Sequence, residues 1–93
     1  MSESRVMVTV IGPDRVGIVA DVATLLAKQS VNILDINQKV MDGDIFAMTM
    51  LTDISKAVID FGELKKLLEE KGKELGLKIH AQHEEIFKYM HRI

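Results

Sequence analysis

The chain has no cysteine among its 93 residues, so no disulfide can staple it and no thiolate can hold a metal. Its fold must stand on packing alone. Tryptophan is also missing and aromatics make up only 4% of residues, which disfavours a sheet that stacks nucleic-acid bases. No basic surplus exists either: the formal net charge is -2 and Lys and Arg are scattered singly, so nucleic acid is not expected as a partner. The richest apolar window, Gly17 to Ala27, is broken by Asp21 and Thr24 and is too short to span a bilayer. The opening Met1-Ser2-Glu3-Ser4 is polar and acidic, unlike a secretory signal. A cytoplasmic protein with no membrane partner is expected.

What remains is 47% hydrophobic and 28% charged, the balance of a soluble globular chain with one domain and a modest core. In "RVMVTVI", Arg5 to Ile11, Val6, Val8 and Val10 alternate with Met7, Thr9 and Ile11. β-branched residues at period two predict a central strand, with Gly12 and the single proline, Pro13, as its stop. A helix is expected from about Val16 to Gln29, where Ile18, Val22, Leu25, Leu26 and Gln29 recur at helical spacing and only a narrow polar stripe is left. A second strand runs from Val31 to Met41, with Leu34, Ile36 and Val40 opposed by Asp35, Asn37 and Lys39. Asp42-Gly43 signals a two-residue hairpin, because both central positions of a type I′ turn need positive φ. The third strand follows, from about Asp44 to Asp53.

The second helix is placed at roughly Phe61 to Leu75. Asp60 stands as N-cap with Glu63 three residues on, Phe61, Leu64, Leu68 and Leu75 form the buried stripe, and Gly76 is the stop. Leu77 to Gln82 is a fourth strand, and 84–93 a short terminal helix with Ile86, Phe87, Met90 and Ile93 on one side. The order β-α-β-β-α-β plus a tail predicts an α+β, ferredoxin-like sandwich: a four-stranded antiparallel sheet with both helices on one face, in one domain with a core of about 5–83. Met7, Ile11, Ile45, Ala47 and Leu51 give the other face apolar character too. The terminal helix, a second subunit, or both should cover it.

Catalytic constellations are absent from the pattern. His80 and His83 fall on opposite faces of a strand and cannot share an ion, which leaves these and His91 as solvated or rim side chains. Glu69-Glu70 and Glu84-Glu85 are helix neighbours that do not face each other. No catalytic residue, metal or cofactor is expected. The turn "GPDRVGI", Gly12 to Ile18, allows two readings. In one, Pro13 makes the turn, Asp14 caps the helix and Gly17 permits close helix-sheet packing. In the other, unpaired N–H groups at the helix start receive a ligand's carboxylate, small residues let it approach, Asp14 takes an ammonium and Arg15 steers an anion. Asn32 and Ile33, at the entry to strand two, are expected near the same sheet end. Asn32 offers both a donor and an acceptor there, or simply closes a local turn.

Together, "VIGPDRVGIVADVATLLAKQSVNILDINQ" resembles the ACT domain over about Val6 to Gln82, through the Gly-x-Asp-x-x-Gly-Ile turn, the apolar first helix and the Val-Asn-Ile strand entry. The ending "EIFKYMHRI" is similar to stand-alone single ACT domains with a short tail. The resemblance implies a homodimer, often with sheets joined edge to edge, binding an amino acid at the subunit interface and regulating a protein partner. It assigns Gly12, Asp14, Arg15, Val16, Gly17 and Ile18 to the binding loop, with Asn32 and Ile33 added from strand two. Val16 replaces the proline that many such loops carry. The rival readings are an acylphosphatase-like hydrolase on the same topology and a dimerisation module without a ligand.

Overall fold

The computed structural model describes residues 4–90, which form β1 (Arg5–Pro13), α1 (Ile18–Lys28), β2 (Asn32–Met41), β3 (Ile45–Asp53), α2 (Phe61–Leu75), β4 (Lys78–His83) and α3 (Glu84–Met90). The sheet order is β2-β3-β1-β4 and all three pairings are antiparallel. This is the expected ferredoxin-like sandwich. Val6, Val8 and Val10 of β1 face the helices and are buried beside Met48 and Met50 of β3 and Ile79 and Ala81 of β4. Ile18, Val22 and Leu26 of α1 and Leu64 and Leu68 of α2 close the core from above. α1 is therefore buried along one i, i+4 stripe, less widely than its apolar sequence predicts; Leu25 is only partly covered. Thr52, fully buried, satisfies its hydroxyl by donating to the Val6 carbonyl at 2.8 Å.

The capping box forms: the Glu63 N–H donates to Asp60 Oδ1 at 2.8 Å and the Asp60 N–H to Glu63 Oε1 at 3.3 Å. Asp42 and Gly43 both take positive φ, 51° and 83°, and the Asp44 N–H donates to the Met41 carbonyl at 3.2 Å to close the turn, but the ladder resumes only at Met41 and Ile45, so three residues separate the strands where two were expected.

Three further local expectations need correction. β1 does not stop before Gly12 but continues through Pro13, which pairs with Ile45. The next N–H, that of Asp14, donates to the Asp44 carbonyl of the β3 side at 2.8 Å. Alternation then aims the proline nitrogen at the β4 side, where pairing has already ended at Ile11 and Lys78, so no ladder bond is lost. α1 begins at Ile18 rather than Val16, and its N-cap is Gly17, at φ 91°, with no side-chain cap. Asp14 does not cap it. Finally, a bulge between Ile33 and Asp35 takes Leu34 out of the alternation of β2.

The face away from α1 and α2 carries Met7, Thr9, Ile11, Ala47, Thr49 and Leu51. Ile11 and Ile45 there are 46% and 37% exposed. α3 covers part of this face from the β4 side, where half-buried Phe87 lines a groove with Thr9, His80 and Gln82. Its first residue, Glu84, is buried between Arg5 Nε at 3.4 Å and Lys88 Nζ at 3.5 Å. The Met90 side chain, His91 and Ile93 lie outside the described residues.

Candidate functional site

Gly17 adopts a left-handed conformation, and an added Cβ there would meet nothing within 4 Å. Its glycine is demanded by the turn, not by helix-sheet packing. The first intrahelical bond is Asp21 N–H to the Gly17 carbonyl, at 2.9 Å. The N–H groups without a helical partner are therefore those of Ile18, Val19 and Ala20, two residues later than the sequence suggested. They open onto a cavity of about 430 Å³ lined by Asp14, Arg15, Gly17 and the first turn of α1 on one side, and by Gln38, Lys39, Val40 and Phe46 on the other. That volume lies within the range of small-ligand sites. Its polar groups comprise the N–H donors and Arg15 at the helix start, Gln38 and Lys39 from β2, and one carboxylate, Asp14: a set able to hold both ends of a zwitterion.

Two loop residues stand apart. Val16 is 97% exposed and does not line the cavity. Gly12 serves the opposite side of the sheet end: a Cβ there would fall 2.6 Å from Leu77 Cδ2 and 3.3 Å from Leu77 Cα, so its bareness admits the start of β4. The larger correction concerns Asn32 and Ile33. Asn32 pairs with Asp53, which pairs with Arg5, whereas Gly12 pairs with Phe46, which pairs with Val40. Within one chain, Asn32 and the loop lie at opposite sheet ends, seven residues or about 24 Å apart at ~3.4 Å per residue. α1 carries the chain back down the sheet before β2 begins. Ile33 packs against the core. Asn32 lines a separate polar pocket of about 230 Å³ with Ser30, Asp53, Ser55 and Lys56. The Ser55 backbone N–H, donating to Asp53 Oδ1 at 2.8 Å, and secondarily the Ser55 hydroxyl, hold the Asp53 carboxyl below the usual carboxylate range.

Gln38, Lys39, Val40 and Phe46 were missed by sequence reasoning. The hairpin at Asp42-Gly43 was the available signal, since it returns the far end of β2 to the sheet end where β1 finishes. His80 and His83 do lie apart; His83 packs against Phe61 with ring centroids 4.2 Å apart. Among the described residues no group of three His, Asp or Glu side chains is placed to hold a metal, and no helix is long and apolar enough to cross a membrane.

Comparison with known proteins supports the fold. The sequence model of the ACT domain family matches residues 4–82. A UPF0237 protein of Methanocaldococcus jannaschii is 60% identical over 90 residues, covering 97% of this chain and 99% of that protein. The solved ACT domain protein from Streptococcus pneumoniae superposes with a TM-score of 0.78 at 37% identity, covering 90% of this chain and 93% of that one. A solved chain assigned as a glycine cleavage system transcriptional repressor gives a TM-score of 0.71 at 26% identity, over 84% of this chain and 44% of its own length.

Proposed function

This chain belongs to the ACT domain family, and from that premise we propose that it is a cytoplasmic regulator that binds an amino acid between the subunits of a homodimer. One observation carries the proposal: the helix-start cavity opens toward a strand edge that is unpaired and almost wholly exposed. All of β2 except Ile33 is exposed, including Leu34 at 45%, Ile36 at 39% and Val40 at 49%. A ten-residue edge with apolar side chains is an open template for another strand.

A second copy fits that edge with good chemistry. In antiparallel pairing about a two-fold axis at Asn37, Asp35 stands opposite the partner's Lys39 on the open face, twice over. Val40, on the helix face, comes level with the partner's bulged Leu34, which adds a further apolar side chain to the seam. Cross-strand pairs of either kind contribute roughly 0.2–1 kcal/mol each. The same symmetry reverses the separation seen within one chain. It carries the partner's Asn32 to the Asp42-Gly43 end, beside the cavity at the start of α1, and sets the partner's Leu34 next to Val40. Each subunit then supplies a loop to one site and an asparagine to the other. The amino acid's carboxylate takes the N–H groups of Ile18 to Ala20 with help from Arg15, its ammonium takes Asp14, and Asn32 bonds the polar end from across the seam.

Regulation follows from linkage. A ligand that touches both subunits favours the dimer geometry in which both halves of the site meet, and a partner protein reads that geometry. The resemblance to a chain assigned as a glycine cleavage repressor supports the regulatory half of this proposal. A thermal-shift panel of amino acids tests it. A ligand at 100 times its Kd adds about 2.7 kcal/mol of stability, or roughly 10–20 °C in a domain of this size. If no amino acid at millimolar concentration moves the transition, ligand sensing is rejected.

A further inference from the structure

We propose that the open face of the sheet is an assembly surface, through which two edge-paired dimers pack into a tetramer with the α3 helices between the sheets. The proposal rests on the β2 pairing above. Its starting point is area. The four strands are six to ten residues long, so at ~3.4 Å per residue and ~4.8 Å between strands one chain offers roughly 550 Å² on this face. A stable interface needs about 800 Å² per partner. One chain alone falls short, whereas the eight-stranded face of an edge-paired dimer, about 1,100 Å², clears the requirement.

The composition of the face agrees with burial. The row Lys39–Ala47–Ile11–Lys78 and the row Asp35–Leu51–Met7–Gln82 place four apolar side chains at the two central strands, with a polar row of Asn37, Thr49, Thr9 and His80 between them. Ile45 and Met41 extend the apolar area at the hairpin end and are 37% and 36% exposed. α3 reaches only part of this surface. Beside it runs a groove of about 590 Å³, floored by Thr9, Ile11, Ala47 and Thr49 and walled by Phe87. α3 itself, after committing Phe87 to its own sheet, leaves Ile86 52% exposed. A short helix with an uncovered isoleucine beside an uncovered groove, whose floor of small and apolar side chains is flanked by Asn37, Lys39, His80 and Gln82, is a knob and a hole on one molecule. A second dimer, turned to face the first, inserts its α3 helices into the grooves and receives the first dimer's helices in return. The occupant is thus another copy of this chain, and both its sheet and its terminal helix take part.

Light scattering after size exclusion, at about 100 µM chain, tests this. Wild type should give four times 10.4 kDa, about 42 kDa. Ile11→Glu, on the sheet, and Ile86→Glu, on α3, each add a carboxylate to the surface without touching the helix-side core; both should stay folded by circular dichroism and drop to about 21 kDa. A wild-type mass of about 21 kDa overturns the tetramer and leaves the edge-paired dimer standing. A monomer overturns both. A tetramer that both folded variants preserve puts its interface elsewhere and overturns the assignment of this face. A dimer whose Thr9 and Ala47 amide resonances move on adding 8-anilinonaphthalene-1-sulfonate would give the groove to small amphipathic molecules instead, which also overturns it.

Discussion

Replacing Gly17 by alanine separates strain from binding. Gly17 sits at φ 91° with open space where its Cβ would be, so the substitution causes no clash. Its cost is conformational: a left-handed L-residue loses roughly 1–2 kcal/mol, offset in part by the ~0.4–1 kcal/mol that a stiffer unfolded chain returns. A net loss of about 1 kcal/mol should lower Tm by roughly 4–8 °C. Gly76 provides the control. It caps α2 at φ 76°, again with nothing within 4 Å of an added Cβ, and it does not line the α1 cavity. Gly76→Ala should therefore cost the same stability. Affinity is where the two must differ. An added methyl at residue 17 stands at the mouth of the helix-start cavity and disturbs a charge-assisted hydrogen bond, the kind that contributes about 1.5–3 kcal/mol, so binding should weaken roughly 10- to 150-fold. Gly76→Ala should bind as wild type does. Denaturant melts and titration calorimetry, with whichever amino acid shifts the wild-type transition, give both quantities. Equal affinity in the two folded variants would refute a ligand at the α1 start.

Further expectations concern the seam, the packing and the termini of the strands. Ile36→Pro, which removes a donor from the open edge of β2 while the neighbouring Asn37 keeps its pairing with Thr49 of β3, should give a folded monomer near 10.4 kDa; a persistent dimer would move the interface off this edge. Gly72→Ala should destabilise by about 1–3 kcal/mol despite the better helix propensity of alanine, because its Cβ would lie 2.7 Å from the Leu77 carbonyl oxygen; a stabilised variant in urea melts would contradict that. The Asp53 carboxyl, held low by Ser55, stabilises the fold above the ordinary carboxylate pKa, and this contribution is lost as pH falls through the depressed folded value. Carbon-detected NMR titration should find the Asp53 midpoint below the ordinary carboxylate range, and an ordinary midpoint there would count against the turn.

Much of the architecture was legible because each signal was local. Period-two valines, the Asp60/Glu63 box and the Asp42-Gly43 turn each name their own conformation, and the order of elements then leaves few topologies. The site was harder to read. Gly17 and Gly12 look alike in sequence, yet one is fixed by its own φ and the other by Leu77, a residue 65 positions later that only the folded sheet brings near. Asn32 was assigned to the loop's sheet end, but it starts β2 only after α1 has crossed the whole sheet. Pairing register, a non-local property, decides such positions. Val40 and Phe46 were overlooked for the same reason: as alternating strand residues they look like ordinary core.

Mixing two damaged variants tests the shared site most directly. Gly17→Ala and Asn32→Ala homodimers should each bind weakly at both sites, the second by roughly 1–3 kcal/mol for a stranded polar partner. Mixed in equal amounts and allowed to exchange, about half of the dimers become hybrids, and in a hybrid one site carries both lesions while the other carries none. Calorimetry should then recover wild-type affinity at about one site in four. If the mixture shows no tight sites although mass spectrometry detects the hybrids, the loop and Asn32 do not meet across the dimer, and the central claim is wrong.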